Sequence, residues 1–549
     1  MQPLLRRLVP LLIAAVGLLG LVGFASRLNK SGSPADEVAT SNASQMIEEG
    51  RRTFRFDTFG DEAFWGGSLR LHEAIRTVSP RTALGVGLKV DVDALPKDLQ
   101  KKLAQGKVDL DDPAVTAELL RLNAVVGVTG FFSGGQLSSI GIQCALCHST
   151  VDNSLAMGVG HRLDGWANRD LDIGTIVSLA PNLQPLADLL GVDVPTVVRV
   201  LQSWGPGKFD AALILDGPSK AFSPTGRSGA TLIPPAFGLA GVNLHTWTGW
   251  GSVTHWNAFV SNLEMHGQGT FFDPRLDDAS QFPIAARERF GHVRNHPDLI
   301  TGKLAALHFY QLAIPAPRPP DGSFDAAAAA TGKALFEGSA RCAECHVPPL
   351  FTEPGWNMHR PEEVGVDAFQ ADRAPDHRYR TSPLKGLWTH TKGGFYHDGR
   401  FATLADVIDH YDSLFVLTLS DGDKHALEQY LLSLGDAAVP TGGNASKLGA
   451  AFDVEDQSSW IRLASPNPSE DATLELEMTR SEVVDFGVYD AAGRRIAQPI
   501  DHQSLDIGLH RASWNGEDAS GRRVPPGIYF VRVTRGNDTW SRRIVLLKR

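Results

Sequence analysis

Two copies of the pattern Cys-x-x-Cys-His constrain this chain more than any other feature of its sequence. The first copy spans residues 144–148 and the second spans residues 342–346, and together they contain all four cysteines of the 549 residues. No cysteine is left over for a disulfide with another part of the chain. The fold therefore has to bring two thiols and a histidine together at two separate points.

This pattern is the attachment signature of c-type haem. Two thiols three positions apart can add to both vinyl groups of one porphyrin, and the histidine then supplies an axial ligand to the iron. The sequence thus predicts two covalently bound c-type haems. The predicted haem-binding residues are Cys144, Cys147, His148, Cys342, Cys345 and His346.

Two other uses of paired cysteines fit the sequence less well. A zinc site would need two further ligands for each Cys-x-x-Cys pair, and only histidines could supply them. A thioredoxin-like redox pair would need a βαβ frame around it, and the sequence shows none.

The first 25 residues indicate export. Arg6 and Arg7 precede an apolar run from residue 8 to residue 25, which is typical of a secretory signal peptide. Eighteen residues are near the lower limit for crossing a bilayer, so an uncleaved N-terminal anchor is the alternative. The expected location is the periplasm, or the cell surface and exterior.

Composition and local pattern predict a multidomain protein. The net charge of −10 gives no sign of a nucleic-acid partner, and the only membrane contact expected is the N-terminal anchor. The expected fold is two mainly α cytochrome-c-like haem domains followed by a small all-β immunoglobulin-like sandwich. The expected segments are a signal or anchor (1–25), a disordered lead-in (26–45), a diverged N-terminal haem domain with an insertion (46–313), a C-terminal cytochrome-c domain (324–436), a linker (437–460) and the sandwich (461–549).

The two larger segments also share a faint repeat. Residues 127–131 lead into the first motif as residues 332–336 lead into the second. Downstream, residues 233–239 echo residues 381–387. We interpret these echoes as a tandem duplication of one cofactor-bearing domain.

The second motif lies in a familiar frame of residues. The stretches 328–336, 379–384, 395–401 and 403–411 around it resemble the bacterial di-haem cytochrome c peroxidase superfamily, which includes the MauG-like enzymes. The resemblance is specific over roughly residues 325–435 and loose over residues 46–312. The alternating strands and turns of the tail resemble the FlgD-like immunoglobulin fold, which serves as a C-terminal sorting domain.

The resemblance implies different roles for the two haems. The C-terminal haem, on His346, would accept electrons, and the N-terminal haem, on His148, would be the place where peroxide is cleaved. On the C-terminal haem the family has a second axial ligand, a Met or a Tyr. Tyr411 lies at about that place in this sequence, and Met358 is a substitute.

On the N-terminal haem, the resemblance implies a distal histidine and an acid–base group. His161 is the first choice for the distal ligand, in competition with Met157, Met265 and His266. Peroxide cleavage also needs a group that moves a proton between the two oxygens. Asp210 and Glu264 are the candidates for that role.

Other residues receive supporting roles from the same resemblance. Trp166 is the candidate for a tryptophan between the haems, and His397 and Arg400 are expected to bond propionates or to structure their loop. The Trp- and His-rich stretch 210–270 either shapes a substrate pocket or adds a shell around the haem. The resemblance would also place a Ca2+ ion between the domains.

The sequence therefore predicts an enzyme that reduces hydrogen peroxide with electrons from a small donor protein, a cytochrome c or a cupredoxin. Two alternatives stay open. One is an electron-transfer cytochrome with both haems six-coordinate, and the other is a di-haem oxygenase or oxidase acting on an organic substrate. The tail is expected to engage a secretion machinery.

Overall fold

The computed structural model describes residues 34–436 and, in the tail, residues 461–463, 471–490, 495–525, 527–536 and 538–546. The expected signal or anchor and the expected linker at 437–460 lie outside the described residues. Across the described ranges, no helix has both the length and the apolar character that a membrane crossing requires.

Short helices dominate the part that precedes residue 437. They are α1 (Pro34–Phe56), α2 (Leu71–Ile75), α3 (Pro80–Gly85), α4 (Lys97–Ala104), α5 (Pro113–Arg121), α6 (Ala145–His148), α7 (Ile173–Ser178), α8 (Gln184–Leu190), α9 (Val194–Gln202), α10 (Leu213–Asp216), α11 (Val253–Phe259), α12 (Pro283–Glu288), α13 (Leu304–Ala313), α14 (Ala326–Glu337), α15 (Leu404–Phe415) and α16 (Asp421–Leu432).

Between these helices lie small two-stranded sheets. Their strands are β1 (Val90–Asp91), β2 (Val128–Ser133), β3 (Gln136–Ile142), β4 (Ser149–Val151), β5 (Val159–Gly160), β6 (Arg162–Asp164), β7 (Lys208–Phe209), β8 (Thr231–Leu232), β9 (Thr270–Phe272) and β10 (His292–Arg294). The strands β2 and β3 form an antiparallel hairpin that leads directly into the first cysteine motif.

The local sequence explains where the helices begin and end. The Asp112 side chain accepts a hydrogen bond from the backbone N–H of Ala114, and Pro113 opens α5, as expected for an N-cap followed by proline. Residues 173–202 form three separate helices, α7, α8 and α9. Gly191 ends α8 in the left-handed conformation, which glycine adopts without steric strain.

Two pairs of helices cross at a glycine, and each pair frames one cysteine motif. α1 crosses α13 at Gly50, and α14 crosses α16 at Gly332. An aromatic pair lies one turn beyond each crossing: Phe54 meets Tyr310 with ring centroids 5.7 Å apart, and Phe336 meets Tyr430 at 5.3 Å. The two halves of residues 34–436 thus share one structural frame.

The expected disordered lead-in at 26–45 is wrong for its described part. Residues 34–45 begin α1, which carries Asp36 and Glu37 in its first turn, where acidic groups favour the helix dipole. The far end of α1 is anchored by Phe54, which is fully buried. The last turns of α1 pack in the core and hold the helix in place. Its first turns extend from there into the segment that was expected to be disordered.

The structure also revises the expected repeat around residue 127. Gly127 has a φ of 80°, and a Cβ added there would lie 2.1 Å from the Cα of Leu146. Its role is to let the chain pass close to the first motif, whereas the counterpart of Gly332 is Gly50. The expected repeat paired Gly332 with Gly127, whereas the structure pairs Gly332 with Gly50.

The tail is a β-sandwich, as the sequence predicted. Its strands are β11 (Ile461–Leu463), β12 (Ala472–Met478), β13 (Glu482–Asp490), β14 (Arg495–Leu505), β15 (Gly508–Trp514), β16 (Gly527–Arg535) and β17 (Asp538–Leu546). They form one sheet in the order β11-β12-β15 and another in the order β14-β13-β16-β17. Val484, Phe486 and Val488 alternate into the core along β13, as half-buried strands do.

Candidate haem sites and their surroundings

The first motif follows the β2–β3 hairpin and forms the short helix α6. The Nδ1 atom of His148 lies 3.2 Å from the carbonyl oxygen of Pro234. Burial lowers the pKa of His148 to about 4, so its imidazole is neutral at physiological pH. A hydrogen bond at Nδ1 leaves Nε2 as the ring nitrogen for a metal, which is the usual arrangement of a ligating histidine.

The second motif is arranged in the same way. The Nδ1 atom of His346 lies 3.2 Å from the carbonyl oxygen of Phe351, and the backbone of Ser382 makes a further contact with the ring. Burial lowers the pKa of His346 to about 4. Both motifs therefore present a neutral, oriented imidazole.

The four cysteines are half-buried, and none is joined in a disulfide. Burial raises the pKa of Cys144 and of Cys147 to about 12 and that of Cys342 to about 11, so these groups are thiols and not thiolates. Among the described residues, a group of three potential metal ligands includes only one of the cysteines, Cys345, with Glu353 and His359. A structural zinc site needs four ligands, so the described surroundings do not favour zinc.

A buried cation tests whether these surroundings fit a haem. All three guanidinium nitrogens of Arg169 are buried without a hydrogen-bond partner among the described residues, and burial lowers the pKa of Arg169 to about 10. A buried, unpaired cation is costly. The propionates of a haem are anions of the kind that such a guanidinium binds, so Arg169 fits the expected cofactor.

Arg169 also lies where the two halves meet. A Cβ added to Gly393, in the loop that precedes α15, would lie 3.5 Å from a terminal nitrogen of Arg169. Nearby, Trp166 and Trp388 meet edge to face with ring centroids 5.3 Å apart, and the Trp388 indole donates to the carbonyl oxygen of Pro317. Trp166, the candidate for a tryptophan between the haems, thus contacts a residue of the second half, and its role between the haems stays a prediction.

Glu264 is a half-buried acid close to Cys147 of the first motif. It ends a short π-helical turn, Val260–Glu264, which continues α11; such turns occur frequently at functional sites. Its Oε1 atom is buried without a hydrogen-bond partner in the described part of the chain. Burial raises the pKa of Glu264 well above its usual value, and its charge acts on Cys147. Burial therefore favours the protonated form of this carboxyl group.

Asp210, the other expected acid, is held in an ion pair. An oxygen of Asp210 lies 3.0 Å from a nitrogen of Arg373, and Asp216 binds the same guanidinium at 2.7 Å. All three side chains are buried. Because Arg373 belongs to the second half, this cluster joins the two halves, and Asp210 is less suited than Glu264 to move a proton.

His161 does not lie where a distal ligand would have to lie. Its side chain is 55% exposed, and its Nδ1 atom pairs with Asp93 at 2.9 Å. The residue sits between β5 and β6, and the neighbouring Arg162 takes the buried position with Asp91. The structure thus does not favour the expected role of His161, because its ring faces solvent and is held by Asp93.

The other three candidates for the distal ligand differ in how far they are buried. Met157 is 78% exposed, whereas Met265 is buried in the core. His266 is half-buried and stacks on Phe64 with ring centroids 3.6 Å apart, and desolvation lowers its pKa to about 4. Of these residues, His266 combines a neutral imidazole with a position two residues from Glu264.

Tyr411 lies near the second motif, as expected. Burial raises the pKa of Tyr411, and the thiols of Cys345 and Cys342 are close enough to contribute. Tyr396 is a second phenol here, with its ring centroid 6.3 Å from that of Tyr411 and its side chain interacting with the Tyr411 hydroxyl. Tyr396 was not predicted from the sequence.

The remaining expected residues have structural surroundings. His397 stacks on Tyr379 with centroids 5.2 Å apart, and Arg400 pairs with Asp398 and Asp367. Met358 lies against Gly249 of the first half. No cluster of three or more acidic, His or Cys ligands lies between the halves within the described residues, so the expected Ca2+ stays a prediction.

The Trp- and His-rich stretch 210–270 forms a small core together with the residues that follow it, 271–285. The Asp273 carboxylate accepts from the Trp250 indole at 3.2 Å and pairs with His255 at 3.1 Å and with Arg275 at 2.7 Å. Trp250 also stacks on Phe282 with ring centroids 5.5 Å apart. The packing favours a shell around the first site over a pocket formed by these residues.

Together, the fold and the two motifs define a protein with two candidate c-type haem sites and an appended immunoglobulin-like module. Residues 466–539 match the family model of the FlgD Ig-like domain. The chain is similar to the methylamine utilization protein MauG of Methylorubrum extorquens, with 26% identity over 202 residues, which cover 32% of this chain and 54% of the relative. The resemblance to MauG-like proteins and to the FlgD-like fold is thereby confirmed.

Each match covers only part of this chain and only part of the matched protein. The chain spans about half the length of the curated relative that it matches. Among solved structures, a hydrazine synthase of Kuenenia stuttgartiensis, studied under xenon pressure, matches 27% of this chain and 59% of its own, with 19% identity and a TM-score of 0.18.

Proposed function

We propose that this protein is a di-haem c-type oxidoreductase that reduces hydrogen peroxide with electrons from a small donor protein. The observation that carries the proposal is Glu264, whose Oε1 atom is buried without a hydrogen-bond partner among the described residues and lies close to the first motif. A proton held next to a metal centre is what heterolysis of a peroxide bond requires. Similarity to MauG supports a haem oxidoreductase in general.

The haem groups would supply iron that exchanges electrons and binds a peroxide oxygen. His148 and His346 would each hold one iron through Nε2, and their Nδ1 contacts fix the ring orientation. Glu264 would donate its proton to the leaving oxygen of the peroxide and would then take up the proton of the other oxygen. Burial favours the protonated form of Glu264, so this first proton would not have to come from bulk water.

The contact between the two halves would serve electron transfer. Trp166 and Trp388 bring two π systems to 5.3 Å across the junction, and Arg169 supplies a fixed positive charge beside them. Electrons would pass from the second half to the first.

The second half would receive the donor protein. Residues 324–436 contain seventeen acidic and ten basic residues, so this half carries most of the net charge of −10. A basic patch on a cytochrome c or a cupredoxin would be steered towards such a surface, and its association would weaken as salt is added.

A second candidate function is the oxidation of an organic molecule. The observation that favours it is an apolar cavity in the first half, which is lined in part by Leu146 of the first motif. The third alternative, an electron-transfer cytochrome without an open iron, has no structural observation in its favour.

We also propose that the protein is exported and that its tail directs it further. The N-terminal apolar segment supports export to the periplasm, and the FlgD Ig-like match at residues 466–539 supports engagement of a secretion machinery. The final location would be the cell surface or exterior.

Mass and spectra of the purified protein test the proposal. We expect an intact mass that exceeds the polypeptide by two haems, and changing both cysteines of either motif to serine should remove one haem. Optical and EPR spectra of the oxidised and half-reduced protein should change when peroxide is added. A single haem, bound zinc, or spectra that peroxide does not alter would contradict the proposal.

A further inference from the structure

Three adjoining apolar residues lie at the surface where α15 ends. Phe415 is the last residue of α15 and is 44% exposed, and Val416 follows it and is 77% exposed. Leu414 is half-buried, and a Cβ added at Gly365 would lie 3.1 Å from its Cδ1 atom. Leu414, Phe415 and Val416 form the apolar ridge. Scattered exposed apolar residues need no explanation, whereas adjoining ones often mark a site of protein–protein contact.

The backbone is strained where it presents the apolar ridge. Val416 caps α15 in the left-handed conformation with a φ of 52°, and Thr418 has a φ of 57°. Glycine is the usual residue at such a C-cap, and a β-branched residue there is an outlier. Leu417 and Leu419 hold the conformation by donating their backbone N–H groups to the carbonyl oxygen and the carboxylate of Asp412. Because glycine would relieve the strain and remove an exposed side chain, the strain points to a use for the valine.

The apolar ridge is connected with the second motif through one aromatic side chain. The ring of Phe415 lies nearly parallel to that of Tyr411, at 5°, with centroids 5.7 Å apart. Tyr411 in turn lies close to the thiols of Cys342 and Cys345. The apolar ridge is therefore the outer end of a short row of side chains that leads from the surface to the second candidate haem site.

Carboxylates surround the apolar ridge. Residues 404–428, which include it, contain six acidic residues and one basic residue, Lys424, and Lys424 is paired with two of these acids. Asp421 is exposed at the start of α16, and Glu362 is exposed three positions before Gly365, which touches the ridge. An apolar centre with an acidic rim is complementary to a partner that has an apolar patch ringed by lysines.

We propose that the apolar ridge is the docking site of the electron-donor protein, and that this donor carries the edge of its cofactor in an apolar patch ringed by lysines. The inference rests on the proposed function, since it names the surface that would receive the donor. Phe415 and Val416 would be covered by the apolar patch of the donor, and the carboxylates would steer its lysines. One electron leaves the reduced cofactor of the donor and enters the oxidised cofactor of the second motif, and no bond forms or breaks.

Calorimetric titration of the intact haem-loaded protein with an oxidised, basic mitochondrial cytochrome c tests the site, with no peroxide present. We expect saturable binding of this probe at low salt. Val416→Gly should weaken the binding by about tenfold, as the loss of a buried valine contact implies. Its resistance to chemical denaturation should not fall, because glycine adopts the left-handed conformation freely. Ile507→Gly, at a 72% exposed isoleucine of the tail, is the matched control and should bind like the unaltered protein.

Two further comparisons test the charge and the electron path. Asp421→Asn should weaken binding of the probe at low salt by about two- to fivefold. Asp98→Asn, which removes an exposed carboxylate from the first turn of α4 as Asp421→Asn does from that of α16, should leave binding unchanged. Acetylation of the lysines of the probe should abolish binding. Rapid mixing with the reduced probe, at concentrations below saturation, should show that Val416→Gly slows reduction of the second haem about as much as it weakens binding.

Three results would overturn the proposal. The first is no binding of the probe to the unaltered protein, and the second is equal binding by Val416→Gly and the unaltered protein. The third is self-association of this chain that Val416→Gly abolishes in sedimentation, which would assign the apolar ridge to a second copy. Peroxide turnover with a small-molecule reductant needs no docked protein, so its failure would contradict the proposed function and is distinct from a failure here.

Discussion

Gly50 of α1 packs directly on the carbonyl oxygen of Ala306 in α13, and a Cβ added at Gly50 would lie 2.0 Å from that oxygen. Gly332 of α14 has the same relationship with Ala426 in α16, at 1.9 Å. The two helix crossings therefore demand glycine for the same reason, which is contact between backbones. Each crossing closes the frame that holds one cysteine motif.

Gly50→Ala and Gly332→Ala should each destabilise the protein. The methyl group has to push two helices apart, and overpacking of this kind typically costs about 1–3 kcal/mol or more. Chemical denaturation followed by far-ultraviolet circular dichroism would measure the loss. Gly302→Ala is the control because a Cβ there meets nothing within 4 Å. Equal stability of Gly50→Ala and Gly302→Ala would show that the crossing tolerates a side chain.

Glu264→Gln should lower peroxide turnover by about 100-fold or more, since a positioned acid–base group contributes about 10²–10⁴-fold. The amide keeps the shape of the side chain but cannot donate and accept the same proton. Steady-state kinetics at matched haem content would measure the change. Asp210→Asn should act mainly on stability, because it leaves Arg373 short of one partner. Full activity in Glu264→Gln would assign the proton transfer to another group.

Arg169→Met should lower the reduction potential of the neighbouring haem by on the order of 50 mV. Removal of a buried positive charge disfavours the reduced state, which carries one positive charge fewer than the oxidised state. Arg169→Lys should keep most of the potential. Spectroelectrochemical titration measures both, and Arg227→Met, at a largely exposed arginine, is the surface control. Identical shifts in Arg169→Met and Arg227→Met would remove Arg169 from the haem environment.

Asp61 should make stability fall as pH rises. Its carboxyl is buried beside the backbone N–H of Ile142, and burial raises the pKa of Asp61 to about 9. In the unfolded chain the group ionises near pH 4. The stability contributed by its protonated form is therefore complete below about pH 4 and is lost as pH rises through 9.

Asp61→Asn removes this titration. Its free energy of unfolding should rise relative to the unaltered protein between pH 5 and pH 9, by up to ~1.4 kcal/mol per pH unit. Denaturation at pH 5, 7 and 9 measures the difference. Asp112→Asn, at an exposed N-cap, should show no such trend. A difference that stays constant with pH would mean that Asp61 is ionised in the folded protein.

The sequence predicts those parts of the site that depend on neighbours along the chain. The residues of both motifs act within five consecutive positions, so their pattern can be recognised directly. Glu264 was also anticipated, although its surroundings were not. His148 contacts the carbonyl oxygen of Pro234, and His346 has a backbone contact with Ser382 besides the one with Phe351. Pro234 and Ser382 occupy the same place in the two echoing segments 233–239 and 381–387.

What the sequence could not predict depends on distant partners. Arg373 pairs with Asp216, 157 positions earlier, and Gly50 meets a helix that begins more than 250 positions later. Arg169 looks like any surface arginine until the fold buries it. The expectation for His161 failed because spacing along the chain does not determine whether a side chain is buried or faces solvent.

Truncation after Asp456 should leave haem content and peroxide turnover unchanged but retain the enzyme in the periplasm. The core of the tail is formed by residues of 461–546 alone among the described side chains, and the two motifs lie more than 100 positions before it. A module with its own core can be removed without exposing the core of its neighbour. Fractionation of cells into periplasm, surface and medium, with haem staining of each fraction, measures the outcome. Fusion of residues 457–549 to an exported carrier protein is the complementary experiment and should carry it to the surface. Loss of haem from the truncated protein, or its arrival at the surface, would reject a sorting role for the tail.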